Sequence, residues 1–93
     1  MVVGLLTLEI HLPYAHSLKD KRQVVRRLKE RLRGHFNVAV AELDHQDTWQ
    51  RAQVGVLSLS TDRLHLTQLL EAATAEAESL LGGDLVGSQI EYL

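Results

Sequence analysis

Apolar and polar positions alternate with period two from Leu6. Leu6, Leu8, Ile10 and Leu12 share one face, and Thr7, Glu9 and His11 share the other. This is the pattern of a strand with one side in a core, and Pro13 ends it. Ser17 followed by Asp20 has the form of a capping box, with Asp in place of Glu. Leu18, Val25, Leu28 and Leu32 then recur at helical spacing and Gly34 supplies a stop, which predicts a helix over 18–33. Phe36, Val38 and Val40 alternate with Asn37, Ala39 and Ala41 as a second strand. The polar run from Asp44 to Thr48 is a loop, and Ala52, Val54 and Val56 open a third strand running to about Ser60. Thr61-Asp62 caps a second helix whose apolar face is Leu66, Leu69, Leu70, Ala73, Ala77 and Leu80, and Gly82-Gly83 ends it. Val86, Ile90 and Tyr92, alternating against Gln89 and Glu91, form a fourth strand.

The order β-α-β-β-α-β is the ferredoxin-like signature, and right-handed crossovers place both helices on one face of the sheet. The expected architecture is therefore an α+β sandwich with a four-stranded antiparallel sheet in the order 4-1-3-2. In that layout the loop around Pro13–Ser17 and the loop around Asp44–Trp49 share one end with the start of the first helix.

Composition narrows the classes. A chain of 93 residues, 45% hydrophobic and 24% charged, reads as one globular domain over 1–93. There is no cysteine, which excludes a disulfide scaffold and thiol chemistry and makes the cytoplasm the expected location. The apolar N-terminus is broken by Glu9 and His11 and has no basic leader, so it reads as a strand and not a signal peptide. No apolar run approaches the ~18 residues of a membrane span, so no membrane partner is expected.

Charge changes the picture more. The net charge is −2, yet residues 13–35 hold eight of the ten Lys and Arg against Asp20 and Glu30 and sum to +6, leaving −8 elsewhere. On a helical wheel Lys19, Arg22, Arg26, Lys29 and Arg33 line one side, with Arg27 and Arg31 further round. Such a stripe suits the phosphates of a nucleic acid. The plainer alternative is a solvated face paired with Glu71, Glu76 or Glu78 of the second helix, which contributes about 0–1 kcal/mol per pair. Lys21 projects into the apolar face of the same helix. It must snorkel to the edge, the preferred expectation, or find a carboxylate; it is also a candidate anion ligand beside the helix N-terminus.

A second constellation is the shared loop edge, with Tyr14, His16, Glu42, Asp44, His45, Asp47 and Trp49. Imidazoles and carboxylates are the residue types of acid–base pairs and divalent-metal sites. No spacing matches a metal motif, however, and Asp44 and Asp47 serve hairpin turns equally well. Trp49 is expected to pack the loop against the sheet edge. No metal, cofactor or catalytic residue is assigned: the serines lack a nucleophile motif, Ser17 is a cap, and the glycines form no phosphate loop.

The third feature is the open face of the sheet. It presents Leu5, Thr7, Glu9 and His11 with Gln53, Gly55, Leu57 and Leu59, and lacks the stacking aromatics that a single-strand RNA platform of this topology uses. Leu5, Leu57 and Leu59 with Ala39 and Ala41 form an apolar patch suited to a homodimer.

Two strings, Ser17-Leu18-Lys19-Asp20-Lys21-Arg22 after Leu12-Pro13 and the run from Phe36 to Gln50, resemble the YlxP-like family of small bacterial proteins, a domain of unknown function. The resemblance spans nearly the whole chain and implies a ferredoxin-like fold. Such proteins are often encoded among translation and ribosome-maturation genes, which implies a role near the ribosome, with ribosomal RNA as the expected partner. It implies no activity and no catalytic residue.

Overall fold

A computed structural model describes all of residues 1–93. The elements are β1 (Val2–His11), α1 (Leu18–His35), β2 (Ala39–Asp44), β3 (Arg51–Ser60), α2 (Arg63–Leu81), a 3₁₀ turn (Gly82–Asp84) and β4 (Leu85–Tyr92). The sheet order is β2-β3-β1-β4 with every neighbouring pair antiparallel. This is the expected order read from the other end, and both helices cover one face.

The core follows from the alternation. Leu6, Leu8 and Ile10 of β1 and Ala52, Val54 and Val56 of β3 meet Val25, Leu28 and Leu32 of α1 and Leu66, Leu70, Ala73 and Ala77 of α2. Truncating one of the fully buried leucines to alanine typically costs about 2–5 kcal/mol. Gly4 allows α2 to approach β1 closely: a Cβ there would lie 2.8 Å from Leu70 Cδ1. Asp62 caps α2 by accepting a hydrogen bond from Leu64 N at 3.0 Å.

Three boundaries differ from the periodic reading. α1 passes through Gly34 and ends at His35, with Phe36 in extended conformation donating its N–H to Leu32 O. Partly buried Phe36 and Val38 still pack on the core, but β2 pairs only from Ala39. β4 carries a bulge opposite Glu9 and Ile10. The extra residue flips Val86 outward to 62% exposure and puts Leu85 against the core in its place. In α2, Leu81 is buried and Leu80 is half-buried, because a real helix drifts from a strict heptad.

No helix is long and apolar enough to cross a membrane. β1 ends where β3 begins, since His11 pairs with Arg51. The start of α1, the β2–β3 hairpin loop and the start of β4 therefore gather at one end.

Candidate nucleic-acid interface

The position of α1 is set by its first turn. Ser17 Oγ accepts from Asp20 N at 3.1 Å, and the Asp20 carboxylate accepts from His16 N at 2.9 Å. Asp is one carbon shorter than Glu, and here it caps the residue before Ser17. The face bearing Val25, Leu28 and Leu32 then turns inward. Lys19, Arg22, Arg26 and Arg33 are exposed and Lys29 is half-buried.

Arg22, Arg26, Lys29 and Arg33 line a groove between α1 and β2, which is an edge strand, together with Val25, Glu30 and Glu42. None of these four cations forms a salt bridge. The salt bridges of the molecule join Lys21 to Glu42 and Arg31 to Glu76, and the His35 ring lies 3.2 Å from the same glutamate. Pairing with α2 is thus confined to Arg31 and His35, where the helices meet, and to a single glutamate. On the groove side the four cations have no salt-bridge partner, and Glu30 is the one carboxylate there not facing Lys21.

Lys21 does not join that face and does not snorkel: it is completely buried. Its ammonium lies 2.9 Å from Glu42 Oε2, and it donates to the carbonyl of His45 and, at 3.2 Å, to that of Gln46. The first turn of α1 faces the end of β2, so acceptors are at hand and the charge has no need to reach solvent. The contact with Glu42 is close but poorly aligned, and Oε2 receives no hydrogen bond from the protein. Lys21 is therefore closed to an external anion and instead fastens the hairpin loop to α1. His45 sits in the left-handed region at φ 66°, where a non-glycine residue costs about 1–2 kcal/mol. Its N–H is held by Asp44 Oδ1 at 2.7 Å, and its carbonyl accepts Thr48 N at 3.0 Å.

The rest of the loop edge separates into parts. Tyr14 turns away from the hairpin and donates to Asp84 Oδ2 at 2.8 Å. Burial, this bond and the Asp84 charge raise its pKa, partly offset by Arg27. His16 is exposed and contributes only its backbone N–H. Asp44 is used in the turn, while Asp47 is exposed. Nowhere do three His, Asp or Glu side chains gather closely enough to hold a metal ion. Trp49 is 50% exposed, so half of its surface is covered in the loop and half is open to solvent. Asp84 and Gln50 were not singled out from sequence; Gln50 Nε2 donates to Pro13 O at 3.2 Å and Gln50 O accepts Leu12 N at 2.8 Å.

On the open sheet face, Leu43 occupies the space a side chain at Gly55 would fill, 2.7 Å from a Cβ there. Leu5, Ala39, Ala41, Leu43 and Leu57 border a shallow apolar depression around Gly55. Leu57 and Leu59 are 39% and 63% exposed. Glu9 and Gln53 form the polar part of this face, with Gln53 Nε2 donating to Glu9 Oε1 at 2.6 Å.

Comparison with known proteins places this geometry. The fold resembles the de novo designed protein Foldit4, with a TM-score of 0.56 and 15% identity over 99% of this chain and 94% of that one. It also resembles SnoaB, a cofactor-independent oxygenase from Streptomyces nogalater, with a TM-score of 0.50 and 14% identity over 99% of this chain and 89% of that one. Identities this low show a shared fold alone. The uncharacterized protein YlxP of Bacillus subtilis (strain 168) is 35% identical over 78 residues, covering 84% of this chain and 85% of that protein. Residues 3–89 match the family described as protein of unknown function (DUF503), and the chain belongs to that family.

Proposed function

We propose that the protein is a binding module, not an enzyme, and that the α1–β2 groove takes RNA, with ribosomal RNA as the first candidate. The observation that carries this reading is the groove itself: Arg22, Arg26, Lys29 and Arg33 share it without a single salt bridge. Four cations held side by side repel one another, and a polyanion relieves that repulsion while releasing condensed counterions. A solvated face balanced by α2 would show several cross-helix pairs, whereas Glu76 alone serves that purpose. Co-sedimentation with purified ribosomes at low and high salt tests the reading. Association at low salt that is lost at high salt is expected; no association with ribosomes or free ribosomal RNA at low salt would contradict it.

A second reading, homodimerisation through the open sheet face, has its own observation. Leu43, Leu57 and Leu59 are exposed beside Leu5 and the two alanines of β2, an apolar patch of the kind that marks association. Light scattering over a concentration series tests it, and a monomer at high concentration would contradict it.

A further inference from the structure

β2 and β4 are the two edge strands, so each presents a row of backbone N–H and C=O groups that no strand of the sheet pairs. Such edges are commonly blunted by proline or lysine on the strand. Neither device is present, since Ala39–Asp44 and Leu85–Tyr92 contain no Pro, Lys or Arg. Each strand is bulged near one end only, and Ala39–Glu42 and Gly87–Tyr92 keep regular register with their inner neighbours.

What distinguishes the two edges is the helix beside each. α1 lines the β2 edge with Arg22, Arg26, Lys29 and Arg33. α2 lines the β4 edge with Glu71 and Glu78, in a groove completed by residues such as Thr74, Ser88 and Ile90. Both glutamates are exposed and neither takes part in a salt bridge. From Leu64 to Leu93 the chain holds five carboxylates and no Lys or Arg. The charge split along the sequence is thus a split between opposite edges of one sheet. The spacings also correspond: Glu71 and Glu78 are two helical turns apart, about 10 Å, as are Arg22 and Lys29, and Arg26 and Arg33.

Level and direction match as well. The cross-strand row Glu42–Val54–Leu8–Ser88 runs from the basic groove to the acidic one, and the row Val40–Val56–Leu6–Ile90 lies beside it. The two grooves therefore stand at the same height on the sheet. β2 runs in the direction of β1 and β4 runs against it. A second copy moved sideways across the sheet, without being turned over, sets its β4 antiparallel to β2. Its α2 then lies on the same side of the sheet as α1 and brings Glu71 and Glu78 to the four cations.

We propose that the protein self-associates head to tail, with the β4–α2 edge of one copy docked on the β2–α1 edge of the next. Backbone bonds between the edges supply affinity, and the helix charges select which edges meet. Two-fold pairing of like edges would set cations against cations or glutamates against glutamates, which is repulsive. A head-to-tail junction leaves an open edge at each end, so association passes beyond two copies into a ring or a filament. The proposal stands independently of the RNA reading. The groove cannot hold both partners at once, so RNA and a second copy compete for the same cations.

The test is sedimentation velocity of the full chain without RNA, over a concentration series at low and high salt. The average mass should rise past that of a dimer at low salt and fall back toward the monomer at high salt. Glu71→Lys with Glu78→Lys, and separately Arg26→Glu with Arg33→Glu, should each weaken association about tenfold or more, with circular dichroism to check the fold. Mixing the two variants should restore association, because the first keeps the native basic edge and the second the native acidic edge. A monomer at every concentration in low salt, association that neither reversal weakens, or a mixture of folded variants that stays monomeric would overturn the proposal. None of these results touches the RNA reading, since no RNA is present and Glu71 and Glu78 lie outside the groove that carries it.

Discussion

Lys21 and Arg22 are neighbours on one turn of α1 and meet opposite fates. Lys21 is buried against Glu42 and two loop carbonyls; Arg22 is exposed in a groove with three other unpaired cations. The inner cation belongs to the architecture, since it ties the hairpin loop to the helix. The outer cations tie nothing together and are free to meet a ligand. The difference lies in which side of the helix faces the end of β2, a property of the assembled sandwich and not of the residue type.

The largest effect should come from breaking the inner side. Lys21→Met leaves the Glu42 carboxylate without its partner and should destabilise the fold by about 3–5 kcal/mol in urea denaturation. Adding Glu42→Leu should recover much of that loss, because an apolar pair can replace a buried ion pair at little cost. If the single substitution were harmless, the architectural role of Lys21 would be wrong.

The outer side predicts the reverse. Arg26→Glu combined with Arg33→Glu should reduce RNA affinity by about tenfold or more while stability stays within about 0.5 kcal/mol. A large stability loss would mean that the groove cations have structural partners. Between these extremes lies the cap that orients both sides: Ser17→Ala should cost about 1 kcal/mol in thermal or chemical denaturation. The smallest effect belongs to the helix–helix contact. Glu76→Gln removes the partner of Arg31 and His35 at the surface, and should cost no more than about 1 kcal/mol, a difference that high salt erases.

What the sequence discloses about these two sides depends on range. The β1 alternation and the Ser17 cap on Asp20 N are local patterns that appear where the spacing puts them, and four of the five stripe cations, Arg22, Arg26, Lys29 and Arg33, line one groove while Lys19 lies outside its lining. The fate of Lys21 depends on Glu42, His45 and Gln46, which only the β2–β3 hairpin brings to the helix. Tyr14 and Asp84 are 70 positions apart in sequence, so nothing near Tyr14 announces that it turns away from the hairpin. The β4 bulge likewise reverses Val86 through its pairing with β1, although its own alternation points inward. The 50% exposure of Trp49 likewise has no local signal, since the loop that carries it is anchored by Lys21 and by Gln50.

The most direct test of the central claim, that the unpaired cations of the α1 groove bind RNA, is the salt dependence of affinity. Four cations engaging phosphates of a single strand predict that log K falls against log salt with a slope of about −3, reduced by about one unit when Arg26 is replaced by alanine. A slope near zero, or one that Arg26→Ala leaves unchanged, would contradict the account.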